Sequence, residues 1–322
     1  MALMSQIVAS TTPVWEKTLV DNFFQGAPVL EYMRAHGKVN RDGGLTIREP
    51  IIQNATGVQF FKGLTSMAAA DSQVLGAADY DWVFSRADAT IPGDEDWKNA
   101  SDAGKVKIWD AVIKTAGVTL ANQWSDALFA DGTTFTGADT QLMPTPFEAV
   151  ADDTSTYTIG GMLSTDLATW TGNVNSPAAG AGQPLTLKDI ELLILDCTEG
   201  KITPDLLAFS KAGYGMLWSL VTTNQRYVNA KDASVGFEHF KFGNAVVFFD
   251  SHILTTGGNY TGQRMFAINT DHYRFTCGEG MEFVTMDNPM PDQFGYSKRI
   301  YLAGNFTCNG RRYQGVLEDF TT

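Results

Sequence analysis

Four histidines, His36, His239, His252 and His272, are the side chains best suited to acid–base or metal chemistry, and their spacing supports neither. A metal site needs ligands that converge, as two histidines do in H-E-x-x-H on one helix face, and no such pattern occurs. Satisfied polar or surface histidines are the expected reading. Asp79 with Asp81, and Asp94 and Glu95 with Asp96, set carboxylates close together, yet neither cluster continues into a calcium loop with its closing Glu. On a strand, Asp79 and Asp81 flank Tyr80 and point together to solvent. No serine stands in G-x-S-x-G, so a serine hydrolase would need a nucleophile in some other setting. The small-residue stretches 178–182 and 257–262 give neither the phosphate loop with its Lys nor the dinucleotide fingerprint with its acidic residue, and read as loop tips. Cys197, Cys277 and Cys308 are odd in number and widely separated, which predicts buried reduced thiols and no disulfide framework or zinc pair. No catalytic, cofactor-binding or metal-ligating set emerges, and neither a cofactor nor a metal is expected.

The balance of charge argues in the same direction. A formal net charge of -13 repels polyphosphate and offers no basic footprint for releasing counterions from DNA. The wall of a container is a different case, because it need not grip what it encloses. Charged residues make up only 18% of the chain against 11% aromatics, with 31 glycines, which suits strands, tight loops and large buried contacts. Residues 1–10 lack a basic stretch followed by an apolar one, and no apolar run approaches bilayer-spanning length, so no membrane partner is expected.

The elements that would position these residues can be read from periodicity. Residues 1–40 carry Trp15, Phe23, Phe24 and Met33 without one capped helical period, and Pro13 and Pro28 interrupt them, which suggests an arm lying against a neighbour. From Gly43 to Pro92, Leu45 and Ile47, then Tyr80, Trp82 and Phe84, alternate with polar residues at period two, predicting a protruding hairpin. A two-stranded hairpin is marginal in water, so one bearing Phe60 and Phe61 needs another surface to cover it. Residues 101–130 give a long helix, with Val106, Trp109, Ile113, Ala116, Leu120, Trp124 and Leu128 on one stripe. Loops follow to 184, with a short amphipathic piece at 162–170. Thr186 and Asp189 open a helix through Cys197, Leu206–Phe209 form a buried strand, and Lys211–Tyr227 form a second helix. Residues 242–249 and 265–268 are strands, and 300–307 with 313–317 suggest a closing antiparallel pair.

In the C-terminal half, Thr203-Pro204-Asp205-Leu206, Gln225-Arg226-Tyr227, Gly236 to Phe242, Val246 to Asp250 and Phe266-Ala267-Ile268-Asn269-Thr270-Asp271 occur in order. Ala303 to Thr307 and Asn309 to Gly315 close the series. In this order and spacing the chain resembles the major capsid proteins of tailed phages, whose subunits share the Hong Kong 97 type fold. The resemblance implies an α+β subunit with an N-terminal arm (1–40), an extended β-hairpin E-loop (41–93), and a peripheral domain with a long spine helix (94–184). An inserted axial domain (185–299) and a return to the peripheral domain (300–322) would complete it. It further implies pentamers and hexamers of an icosahedral virion shell around double-stranded DNA, assembled in the bacterial host cytoplasm. The partners it implies are a separate scaffolding protein, since the chain has no room for a scaffolding segment of its own, and a portal protein, while the presence of a decoration protein is left open. Some relatives join subunits by a Lys to Asn isopeptide bond, for which Lys62 and Asn309 are the nominees, although a solvated lysine and a turn asparagine are the preferred reading.

Interface energy concentrates in Trp, Tyr, Phe and Arg that fill pockets on a partner. The candidate intersubunit contacts are accordingly Trp15, Phe23, Phe24, Phe60, Phe61, Lys62, Tyr80, Trp82 and Phe84, with Arg311 and Arg312 as a salt-bridging pair in preference to a phosphate contact. An encapsulin-type compartment shell is the nearest rival, and a hydrolase with unfamiliar motifs is the rival of another class.

Overall fold

The computed structural model describes residues 26–53, 58, 60, 62, 74–99, 108–130, 143–152, 157–165, 167, 169–177, 182–222, 240–255, 262–288 and 294–321. In chain order the elements are α1 (Pro28–Ala35), β1 (Val39–Asp42), β2 (Ile47–Ile52), β3 (Leu75–Tyr80), β4 (Val83–Pro92), α2 (Gly93–Asn99), α3 (Ile108–Leu128) and α4 (Phe147–Ala151). Then come β5 (Asn173–Asn175), α5 (Leu187–Asp196), β6 (Leu206–Phe209), α6 (Lys211–Thr222), β7 (Phe240–Phe242), β8 (Ala245–Phe249) and β9 (Gln263–Ile268). The last are β10 (Tyr273–Gly278), β11 (Val284–Asn288), β12 (Gly295–Cys308), a 3-10 turn (Arg311–Tyr313) and β13 (Gly315–Phe320). They fall into two compact units, a larger one containing Gly26–Ser85, Ala121–Glu282 and Leu302–Thr322, and a smaller one containing Arg86–Leu120 and Phe283–Tyr301.

The larger unit is organised by a six-stranded sheet in the order β5-β13-β9-β6-β8-β7. Its central strand β6 reads Leu-Leu-Ala-Phe and is buried at every position, as a strand covered on both faces must be. β6 runs parallel to β8 and antiparallel to β9. Ile190, Leu193 and Cys197 from the α5 stretch and Leu217 from α6 pack with Leu207, Val247 and Met265 in one core. α5 begins where expected: Thr186 Oγ1 accepts from the Asp189 N–H at 3.3 Å while the Asp189 carboxylate accepts from the Thr186 N–H at 3.0 Å. This reciprocal cap satisfies two amide donors that the first turn would otherwise orphan. Thr186→Ala is expected to lower the unfolding free energy by about 1 kcal/mol, read as a shift in the urea midpoint.

A second set of pairings links β1 parallel to β10, and β10 antiparallel to residues 304–308 of β12. Gly304 is required there, because a Cβ would lie 2.7 Å from the Thr276 carbonyl oxygen. Trp124 of α3 packs edge-on to Phe275 and Phe306, and its indole N–H donates to Ser85 Oγ at 2.8 Å. In the smaller unit β11 pairs antiparallel with residues 297–301 of β12. There Thr90 bonds Ser297 through their hydroxyls, and Arg299 donates to Asp88 at 2.8 Å.

Several expectations meet the structure directly. All three cysteines are buried and free. The stripe Ala116, Leu120, Trp124 and Leu128 is buried along α3, which runs 21 described residues, about 30 Å. The proposed cap at Ser101 or Asp102 lies outside the described residues. In the piece at 162–170, Met162 closes a tight bridge with Ile159, and the Trp170 indole donates to the Ile159 carbonyl oxygen. Two expectations need correction. β12 and β13 belong to different sheets and do not pair, because β13 inserts between β5 and β9. The second hairpin strand ends at Tyr80, and Phe84 lies on β4, which pairs with β12 instead.

Candidate assembly surfaces

β2 and β3 pair antiparallel with Ile47 opposite Tyr80 and Ile52 opposite Leu75. Period two divides this ribbon into an inward row, with Ile47, Ile51, Ala78 and Tyr80 buried, and an outward row. The outward row begins with Arg48 opposite Asp79, joined by two hydrogen bonds of 2.7 and 2.9 Å. The hydrogen bond from Arg48 holds the Asp79 carboxyl below its usual value. Asp81 is exposed as expected. The same row ends on Ile52 and Leu75, a cross-strand apolar pair at 73% and 70% exposure. Leu45, Val58 and Phe60 are also exposed to solvent. A ribbon whose base is pinned and whose far end presents apolar side chains to water is a surface prepared for burial.

The candidate contact residues divide into three groups. Phe60, Lys62 and Phe84 are exposed, and Trp82 is half-buried with its indole N–H donated to the Gly44 carbonyl oxygen at 3.0 Å. Trp15, Phe23, Phe24 and Phe61 lie outside the described residues. Tyr80 and Arg311 are taken up by their own chain. The Tyr80 hydroxyl donates to the Cys308 carbonyl oxygen at 2.7 Å, and burial pushes its pKa well above the ordinary value. Arg311 is fully buried and donates to the carbonyl oxygens of Ala149, Val150, Asp152 and Trp170 at 2.8–3.1 Å. It therefore closes the end of α4 from within its own chain, its N–H donors matching carbonyls that the last helical turn leaves without a helical partner. Burial lowers its pKa from the usual value. Arg312 pairs with Glu199 at 3.0 Å and lies over the Tyr313 ring, so its salt bridge is also within the chain. Asn309 is held by His272, side chain to side chain at 2.7 Å.

Five of the residues that carry the family resemblance, Thr203, Asp205, Asn269, Thr270 and Gln314, form a polar junction of the larger unit. The Asp205 carboxylate accepts from the Thr270 N–H and hydroxyl at 2.7 and 2.5 Å. Burial raises the Asp205 pKa against these hydrogen bonds. Asn269 donates to the Thr203 carbonyl oxygen at 2.9 Å, and Gln314 both accepts from the Asn269 N–H and donates to its carbonyl oxygen. Short polar side chains bonded to loop backbone fix where β6, β9 and β13 end.

Sequence reasoning missed Ile52 and Leu75, and the exposed Phe249, Phe294 and Tyr296. For the first pair a clue was available: Ile51 and Ile52 are consecutive, so a strand with one covered face can bury only one of them. Among the described residues no group of three or more His, Cys, Asp or Glu is arranged to hold a metal, and no helix is long and apolar enough to cross a membrane.

No family model and no curated protein matches the chain. Solved structures do. A chain of the cyanophage A-1(L) capsid asymmetric unit is similar with a TM-score of 0.72 at 15% identity, covering 97% of this chain and 97% of that one. A chain from the capsid of the native GTA particle reaches 0.68 at 9% identity, over 100% and 99%. One from the holo-SrpI encapsulin complex of Synechococcus elongatus PCC 7942 reaches 0.63 at 7%, over 98% and 95%. Over nearly its whole length this chain carries the α+β fold of phage capsid subunits, the Hong Kong 97 type that its sequence resembles and that an encapsulin shares.

Proposed function

We propose that the chain is a major capsid protein, self-assembling into pentamers and hexamers of an icosahedral shell around the double-stranded DNA of a tailed phage. The observation that carries this reading is the likeness to capsid subunits from end to end, with nothing large left over on either side of the comparison. Supporting it, the β2–β3 ribbon presents an apolar far end that its own pairing leaves in water. In this reading the ribbon is the E-loop, α3 the spine helix, and residues 185–299 the axial domain. Phe60, Trp82 and Phe84 contact a neighbouring copy, as do Trp15, Phe23, Phe24 and Phe61. The acidic chain encloses DNA without sequence-specific grip, and a scaffolding protein and a portal complete the particle. An encapsulin shell is the second reading, favoured by the match to an encapsulin.

Electron micrographs of the purified protein, with and without a scaffolding partner, are expected to show hollow polyhedral particles. The variant carrying Ile52→Asp and Leu75→Asp is expected to keep its far-UV circular dichroism, since exposed substitutions change stability by about 0.5 kcal/mol or less. It should lose at least about tenfold in assembled fraction, because each subunit then buries charge where it buried an apolar pair. Monodisperse subunits that never assemble would sink the proposal, and so would full assembly of the double variant sink the ribbon's part in it. Nucleic acid inside purified native particles indicates the phage reading, and an enclosed enzyme the compartment.

A further inference from the structure

His252 lies in the turn that follows β8 with its side chain only 2% exposed, between two carboxylates. Its Nδ1 stands 2.7 Å from Asp250 Oδ1, an oxygen that also accepts from the His252 N–H at 2.9 Å. Its Nε2 faces Asp126 Oδ1 at 3.9 Å. Asp250 is fully buried and Asp126 half-exposed. Asp126 sits in the last turn of α3, where the helix dipole disfavours a negative charge and where no basic residue is present. The cation nearest on the β9 side, Arg264, reaches the same turn through the Leu254 carbonyl oxygen, but its charge is engaged by Glu148.

The two states of the imidazole differ sharply in this setting. Neutral, its one proton stays on Nδ1 toward buried Asp250, and the Nε2 lone pair then faces Asp126 and repels it. Charged, it donates to Asp250, turns a cationic Nε2–H toward Asp126 and supplies the cation that the end of α3 lacks. We propose that His252 is a proton-operated clasp that ties the last turns of α3 to the end of β8 in mildly acid solution and loosens them as the solution turns alkaline.

The titration supports the direction. Burial lowers the His252 pKa, but the hydrogen bond and charge of Asp250, with the charge of Asp126, outweigh it, and the net shift is upward from 6.5. A pKa raised on folding gives a contribution that is fully present below the unfolded value and is lost as pH rises through the folded one, so the clasp opens above about 6.5. Burial raises the Asp126 pKa, and the charge of His252 opposes that shift, as a cation facing this carboxylate must.

Slow exchange of imidazole C2 hydrogens, read peptide by peptide in the mass spectrometer, gives the midpoint of each histidine in the intact protein. His252 should titrate above 6.5, and Asp126→Asn, a change on a half-exposed side chain, should move its midpoint down. Amide protection factors over residues 121–128, corrected for intrinsic base catalysis, should fall about tenfold between pH 6 and pH 9 in the unaltered chain and stay flat in His252→Gln. A His252 midpoint at or below 6.5, or one that ignores Asp126→Asn, overturns the proposal. Equal pH dependence of protection with and without the imidazole also overturns it.

Discussion

Arg311→Ala is expected to lower the unfolding free energy by about 4 kcal/mol, enough to leave much of the protein unfolded or insoluble at 37 °C. The guanidinium is fully buried and its N–H groups reach four main-chain carbonyl oxygens, three of them at the end of α4. Removing it leaves those acceptors in a space that water cannot refill without opening the α4 turn, and a cavity the size of the largest polar side chain. Arg311→Lys tests the geometry separately from the charge. An ammonium is a point donor and cannot span carbonyls on both Val150 and Trp170, so lysine should recover less than half of the loss. Urea or thermal midpoints measure both variants, and an Arg311→Ala protein within 1 kcal/mol of the unaltered chain would show that the α4 turn is held by something else.

Breaking the ion pair of Glu148 and Arg264 should be nearly as damaging. Arg264 Nη1 donates to Glu148 Oε2 at 2.5 Å with both side chains buried, and Phe147, Phe129 and Phe266 surround the pair's elements with rings packed on one another. Arg264→Met alone leaves a carboxylate in this apolar setting, an expected cost of about 3–5 kcal/mol. The double variant with Glu148→Leu removes both charges and should regain most of it, since two desolvation costs disappear with one attraction. Midpoints of the two single variants and the double one complete a thermodynamic cycle. A double variant as unstable as Arg264→Met would mean that packing, and not charge, is what the pair contributes.

Much of the local architecture was legible because it depends on neighbours in the sequence. Thr186 and Asp189 stand three residues apart and cap α5 whatever surrounds them. Leu206–Phe209 is an unbroken apolar run, which only a strand covered on both faces can bury. Leu120, Trp124 and Leu128 recur at the helical period and lie buried. The arginine pair could not be told apart for a reason in the same physics. Arg311 and Arg312 are adjacent and chemically alike, so nothing local distinguishes one that enters a helix end from one that lies on Tyr313 and meets Glu199. Strand pairing failed in the same way, since β12 and β13 adjoin in sequence but β13 gains more by filling the gap between β5 and β9.

The sequence by itself determined the kind of chain: acidic, aromatic-rich, mixed in helix and strand, and similar in the order of its motifs to phage shell subunits. Only the tertiary structure decided which polar residues are internal ties and which apolar ones remain outside. Periodicity says that one face of a strand must be covered, but not by what. Tyr80 and Ile52 lie on opposite faces of the same ribbon, and what helps make the Tyr80 face the covered one is Cys308, 228 residues away, whose carbonyl oxygen accepts from the Tyr80 hydroxyl. Burial of that kind is a property of contacts between distant segments, so it comes into being only when the chain closes on itself.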